Sequence, residues 1–69
     1  MVANFICRNI NGERHYVCYN EEKREVAWIT MDSMKNHPGY GRVSWNTKEL
    51  ADARAKEFGY CAYVVSETI

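Results

Sequence analysis

The sequence predicts an α+β domain: an antiparallel sheet of four or five strands in the order β-β-β-(β)-α-β, with one helix packed on one face. Three observations predict it. Two runs rich in aromatic and β-branched residues, Asn4–Ile10 and Glu13–Asn20, flank Asn11-Gly12, the dipeptide preferred in a two-residue hairpin turn. A helical pattern with both ends marked runs from Asn46 to Gly59, and an apolar run, Cys61–Val65, follows it at once.

In a two-residue hairpin, position 10 faces 13, Cys7 faces Tyr16 and Phe5 faces Cys18, because paired residues keep a constant sum of positions. Phe5, Cys7, Tyr16 and Cys18 then share one face, and Ile6, Ile10, Val17 and Tyr19 share the other. Both faces are substantially apolar, so each side needs cover. Glu21–Glu25 reads as a charged connector, and Val26–Met31 as a third strand that completes a meander. Asp32–Tyr40 is the longest irregular stretch, with Pro38-Gly39 as its turn signal. Gly41–Trp45 is a candidate short fourth strand.

The helix signals are local. Asn46 with Glu49 three residues on reads as a capping box, Trp45 and Leu50 fit a hydrophobic staple, and Gly59 sits where a left-handed C-cap is expected. Leu50, Ala51, Ala55 and Phe58 form one stripe, and the two small alanines allow close approach to a sheet. Cys61–Val65 carries little charge on either face, which suits the sheet interior. One helix covers one side only, so the second apolar face is expected to lie open to solvent or a partner.

At 69 residues the chain reads as a single compact domain, 1–69, with little volume for a deep pocket. Nine Lys and Arg balance nine Asp and Glu, and the two halves of the chain each lie within one charge of neutral. The basic excess of a duplex nucleic-acid binder is missing. Neutrality also does little to oppose self-association. Three cysteines, an odd count, and an N-terminus without a basic and apolar leader pattern point to reduced thiols in the cytoplasm; the strand pattern that begins by Asn4 reads as a complete small reading frame. No stretch approaches the roughly 18 apolar residues of a membrane span, so no membrane association is expected.

Catalytic and metal chemistry find no constellation. His15, Cys18, Cys7, Cys61 and His37 are possible zinc ligands by type, but there is no Cys-x-x-Cys, and an odd separation sends His15 and Cys18 to opposite faces of a strand. Cys7 and Cys18 lie diagonally, about 7 to 8 Å apart, if the turn has two residues, whereas a four-residue turn would put them face to face. Cys18 with His15 and Cys61 with His37 are the available thiol and base pairs, neither in a recognised context. No Gly-rich phosphate loop, nucleophile elbow or carboxylate pair occurs. The expectation is a protein that is not an enzyme and carries no cofactor.

Two binding readings remain. Phe5, Tyr16, Tyr19 and Trp28 could stack bases while Arg8, Arg14, Lys23 and Arg24 hold phosphates, as in a small single-stranded nucleic-acid or RNA-binding module. Glu13, Glu21, Glu22 and Glu25 beside those cations weigh against it. The favoured reading is protein binding, through Tyr16, Tyr19 and Trp28 on the sheet and Met34, His37 and Tyr40 on the irregular stretch. A homodimer through a sheet face or edge satisfies the same observation.

Trp28-Ile29-Thr30-Met31-Asp32, then Val43-Ser44-Trp45-Asn46-Thr47-Lys48-Glu49-Leu50-Ala51-Asp52-Ala53, and a closing Ala62-Tyr63-Val64-Val65 resemble many small bacteriophage and prophage proteins. Those carry a strand ending in Trp-x-x-Asp, an aromatic before a Thr-Lys-Glu-Glu-Ala-type helix start, and a final Val-Val strand. The resemblance covers about the C-terminal two thirds; Leu50 replaces an acidic residue and Pro38-Gly39-Tyr40-Gly41 lengthens the gap. It implies a phage-encoded accessory factor in the host cytoplasm that binds, and in some cases inhibits, a host enzyme or defence component. It transfers no catalytic residue.

Overall fold

The computed structural model describes residues 1–69 as one antiparallel six-stranded sheet and a single α-helix, an α+β fold. The elements are β1 (Val2–Ile10), β2 (Glu13–Asn20), β3 (Glu25–Ile29), a 3-10 turn (Met34–Asn36), β4 (Tyr40–Arg42), β5 (Ser44–Trp45), α1 (Lys48–Phe58) and β6 (Tyr63–Thr68).

The β1–β2 hairpin has the expected register, with Ile10 opposite Glu13 and Cys7 opposite Tyr16. Asn11 and Gly12 take φ of 54° and 81°, the two positive values that a type I′ turn requires. The expected Phe5 to Cys18 pairing does not form. Beyond Cys7 and Tyr16 the two strands splay, and the chain from Tyr40 to Trp45 fills the fork. β4 runs along β2, with Arg42 opposite Cys18; Val43 donates its N–H to the Val17 carbonyl; and β5 returns along β1, with Ser44 opposite Phe5. The fourth strand is thus two short arms around Val43, and the sheet has six strands where four or five were expected.

Asn4 fastens this wedge. Its buried side chain donates to the Trp45 carbonyl (3.0 Å) and accepts from the Ser66 hydroxyl (2.7 Å), tying β5 to β6 across β1. The third strand starts and stops earlier than Val26–Met31, at Glu25 and Ile29. Asn20 accepts the Lys23 backbone N–H (2.9 Å) and so closes the turn that leads into it.

The helix is capped by Thr47 rather than Asn46. The Thr47 hydroxyl accepts the Leu50 N–H at 3.2 Å, so α1 begins one residue later than the capping-box reading placed it. Gly59 stops the helix at positive φ (114°) with extended ψ (165°), which differs from the left-handed cap expected. Ala51 and Ala55 are the buried residues of the stripe; Leu50 is exposed, and Phe58 lies at the margin.

The last strand runs later than expected, over Tyr63–Thr68, and pairs with β1 only. It is an edge strand, contrary to its expected interior position: β2 and β5 share the other side of β1. The nine residues of the two buried clusters sort by face. Ala3, Phe5, Cys7, Tyr16, Cys18 and Ile29 lie on the face away from the helix, and Ile6 and Val17 meet Ala55 on the helix side. Both faces therefore hold core, as their apolar character requires.

Candidate functional site

Strand parity divides the aromatic residues into two groups with opposite fates. On the face away from α1, Phe5 and Tyr16 are buried, their rings edge-on at 5.9 Å. Arg42, projecting from β4, lays its guanidinium over both, 4.0 Å from the Phe5 centroid and 4.9 Å from that of Tyr16. The same guanidinium donates to both Glu67 carboxylate oxygens (3.1 and 3.0 Å), and the Tyr16 hydroxyl donates to Glu67 at 3.0 Å. Arg42, Tyr16 and Glu67 so close the face across three strands, β4, β2 and β6. Burial alone would raise the Glu67 carboxyl, but hydrogen bonds from Arg42 and Tyr16 outweigh it and hold the group below its ordinary value.

Met34 completes the cover. Its thioether accepts the buried Cys18 thiol at 3.6 Å. The face expected to lie open is the closed one. Burial pushes the Cys7 thiol up to about 11 and raises that of Cys18 as well, so both are protonated, unreactive groups at neutral pH. All three cysteines are free, and Cys61 is exposed.

On the helix side the outcome is reversed. The short α1 packs over β1, β5 and β6, and its Ala55 and Phe58 reach Val17 and Trp28, but the Tyr19–Val26 end of the β2–β3 hairpin is left exposed. Tyr19 and Val26 form a cross-strand pair there, and Trp28 lies next to them opposite Val17. Tyr19 is 37% exposed and Val26 57%, high values for residues whose side chains stand on a sheet. Trp28 meets Phe58 edge-on at 5.5 Å, which joins the patch to the margin of the helix, and Arg8 sits 5.5 Å over the Trp28 ring. The result is a continuous apolar strip, Tyr19, Val26, Trp28 and Phe58, with one cation at its border. β3 is also the outer strand on this side of the sheet.

The six residues singled out from sequence divide accordingly. Tyr16 and Met34 belong to the closed face. Tyr19 and Trp28 belong to the helix-side strip, Tyr19 at its exposed end and Trp28 half-buried against the Ile6, Val17 and Ala55 cluster. Tyr40 is half-buried and donates to Glu25 at 2.7 Å, a bond that raises its hydroxyl above the usual value; His37 stands edge-on to it at 6.1 Å and faces solvent. Val26 and Phe58 are the members that sequence reasoning left out. Val26 was visible only as a strand residue, and its pairing with Tyr19 follows from a hairpin register between β2 and β3 that no turn dipeptide announces.

No helix is long and apolar enough to cross a membrane. Comparison with protein-family models, with curated proteins and with solved structures returned no match.

Proposed function

We propose that this chain is a non-enzymatic protein-binding module whose contact surface is the helix-side strip of Tyr19, Val26, Trp28 and Phe58. The exposure of the Tyr19–Val26 pair carries the reading. The pair stands partly exposed on a sheet whose hydrogen-bonded strands pre-order it. Two aromatic rings at the strip's centre and an Arg at its border match the residue types that dominate protein contacts. The resemblance to phage accessory proteins agrees with this mode of action, in which a small binder occupies a host protein and inhibits it.

The nucleic-acid alternative needs stacking faces on the sheet. Two of its four aromatics, Phe5 and Tyr16, are buried beneath Arg42, and that cation is engaged by Glu67. Too few rings remain accessible for the stacked array such modules use. Pull-down from host lysate with wild type and with Val26→Lys tests the proposal. A partner recovered by wild type and lost with Val26→Lys supports it. Equal recovery by both, or a salt-sensitive gel shift with single-stranded nucleic acid in place of any protein, would overturn it.

A further inference from the structure

The other edge of the sheet carries a second feature, independent of the strip. Ile69 donates its N–H to the Met1 carbonyl at 2.9 Å, in line with the β1–β6 register, and this sets the phase of the ladder. Tyr63, Val65 and Glu67 turn their backbone groups toward β1. Val64, Ser66 and Thr68 turn theirs outward, where no strand meets them. The edge has none of the usual protection: no Pro, no Lys, no bulge, and one charged residue, Glu67, whose side chain is engaged by Arg42 and Tyr16.

The helix beside this edge is patterned to match. Asp52 and Lys56 line the side of α1 that faces β6, and Lys48, four residues before Asp52, reaches it at 3.4 Å, so the signs alternate along the helix. Between that side and the strand runs a shallow groove floored by Ala55, Gly59, Ala62 and Val64, with Tyr60, 99% exposed, at its end.

We infer that β6 is a self-association edge, on which a second copy of this chain adds its own β6 antiparallel about a twofold axis to make one continuous sheet. A twofold at Val65 sets Val65 opposite its own copy, Val64 opposite Ser66 and Tyr63 opposite Glu67, so no like charges meet. The outward N–H and C=O groups of Val64 and Ser66 then find partners. The two helices come side by side and antiparallel on the same face, and in the inferred dimer each Asp52, on the groove side of α1, pairs with the Lys56 of the other copy. Alternation of charge is what makes this surface complementary to itself; a block of one sign would repel its copy. Zero net charge leaves no long-range repulsion to oppose the approach. Two binding strips would then stand at the two far ends of a twelve-stranded sheet.

Light scattering on eluting protein across a concentration series, with wild type, Lys56→Glu, Asp52→Lys and Ser66→Pro, tests this. Wild type is expected at twice the 8.1 kDa chain mass. Each charge reversal alone sets like charges opposite and is expected to weaken the dimer about tenfold or more, since two such pairs change together. Mixing Lys56→Glu with Asp52→Lys restores opposite signs at both pairs and is expected to restore the dimer. Ser66→Pro removes an outward N–H together with the Ser66 hydroxyl bond to Asn4, so Ser66→Ala, which loses that bond alone, is its control: Ser66→Pro is expected to give a monomer and Ser66→Ala a dimer. A wild-type monomer at all concentrations would overturn the inference, as would a dimer indifferent to every variant or no recovery in the mixture. Folded monomeric variants that still capture a partner through Val26 would leave the binding strip standing without it.

Discussion

Arg42 is the residue on which the closed face depends. It replaces a second helix by covering Phe5 and Tyr16 with the flat surface of a guanidinium and its stem, while Glu67 holds it in place. Arg42→Ala is expected to cost about 1–3 kcal/mol, because both ring contacts go and Glu67 loses its counter-charge. Denaturant unfolding followed by circular dichroism measures it. Arg42→Lys keeps the charge and loses the planar cover, so it should recover only part. Glu67 adds a pH dependence with a definite sign. Its carboxyl is held below the ordinary 4.5 in the folded chain, so its stabilisation is fully present above that value and is lost as pH falls through the lower folded value. Wild type is therefore expected to lose stability more steeply below pH 4.5 than Glu67→Gln, by urea midpoints measured between pH 3 and pH 6. Val26 lies at the other extreme: it is 57% exposed, and Val26→Lys is expected to leave stability nearly unchanged.

At the scale of elements, local signals were legible and long-range ones were not. Asn11-Gly12 predicts its turn type and register because the dihedral demand falls on those two residues alone. Gly12→Ala is expected to destabilise by about 1 kcal/mol, since a Cβ at φ 81° is strained though nothing crowds it. The helix was legible to within one residue. Asn46 and Thr47 are both cap types, and the choice between them rests on the geometry of the approach from β5, which a linear pattern does not contain. Thr47→Ala should cost about 1 kcal/mol by thermal or chemical unfolding, and Asn46→Ala much less. The fork between β1 and β2 was invisible for a different reason. Its cause is a non-local wedge: Val43 meeting Val17, and Asn4 reaching Trp45, contacts between residues 26 and 41 positions apart. With that wedge unseen, Arg42 had no predicted place, and the face it covers was expected to be open. The edge position of β6 was missed similarly, because Val64 and Val65 read as interior residues until the helix is known to cover one side of them and Arg42 with Glu67 the other.

For the whole molecule, the division of labour between faces follows from size. A chain of 69 residues carries one helix of 11, which covers β1, β5 and β6 and reaches β3 only where Phe58 meets Trp28. One remedy is side-chain cover, which the Arg42 cluster supplies on the far face. The other is to leave the surface for a partner, which is the proposal for Tyr19, Val26, Trp28 and Phe58. Of the sheet and loop residues expected to bind a partner, Tyr16 and Met34 pack on the face away from the helix, while Tyr19 and Trp28 lie on the helix side. A photo-crosslinking amino acid placed at position 26 on the strip and at position 14, exposed on the opposite face, compares the two directly in cell lysate. Crosslinking of one protein from position 26 and none from position 14 is the predicted result; crosslinking from position 14 alone, or from neither, would contradict the assignment of the helix-side strip as the binding surface.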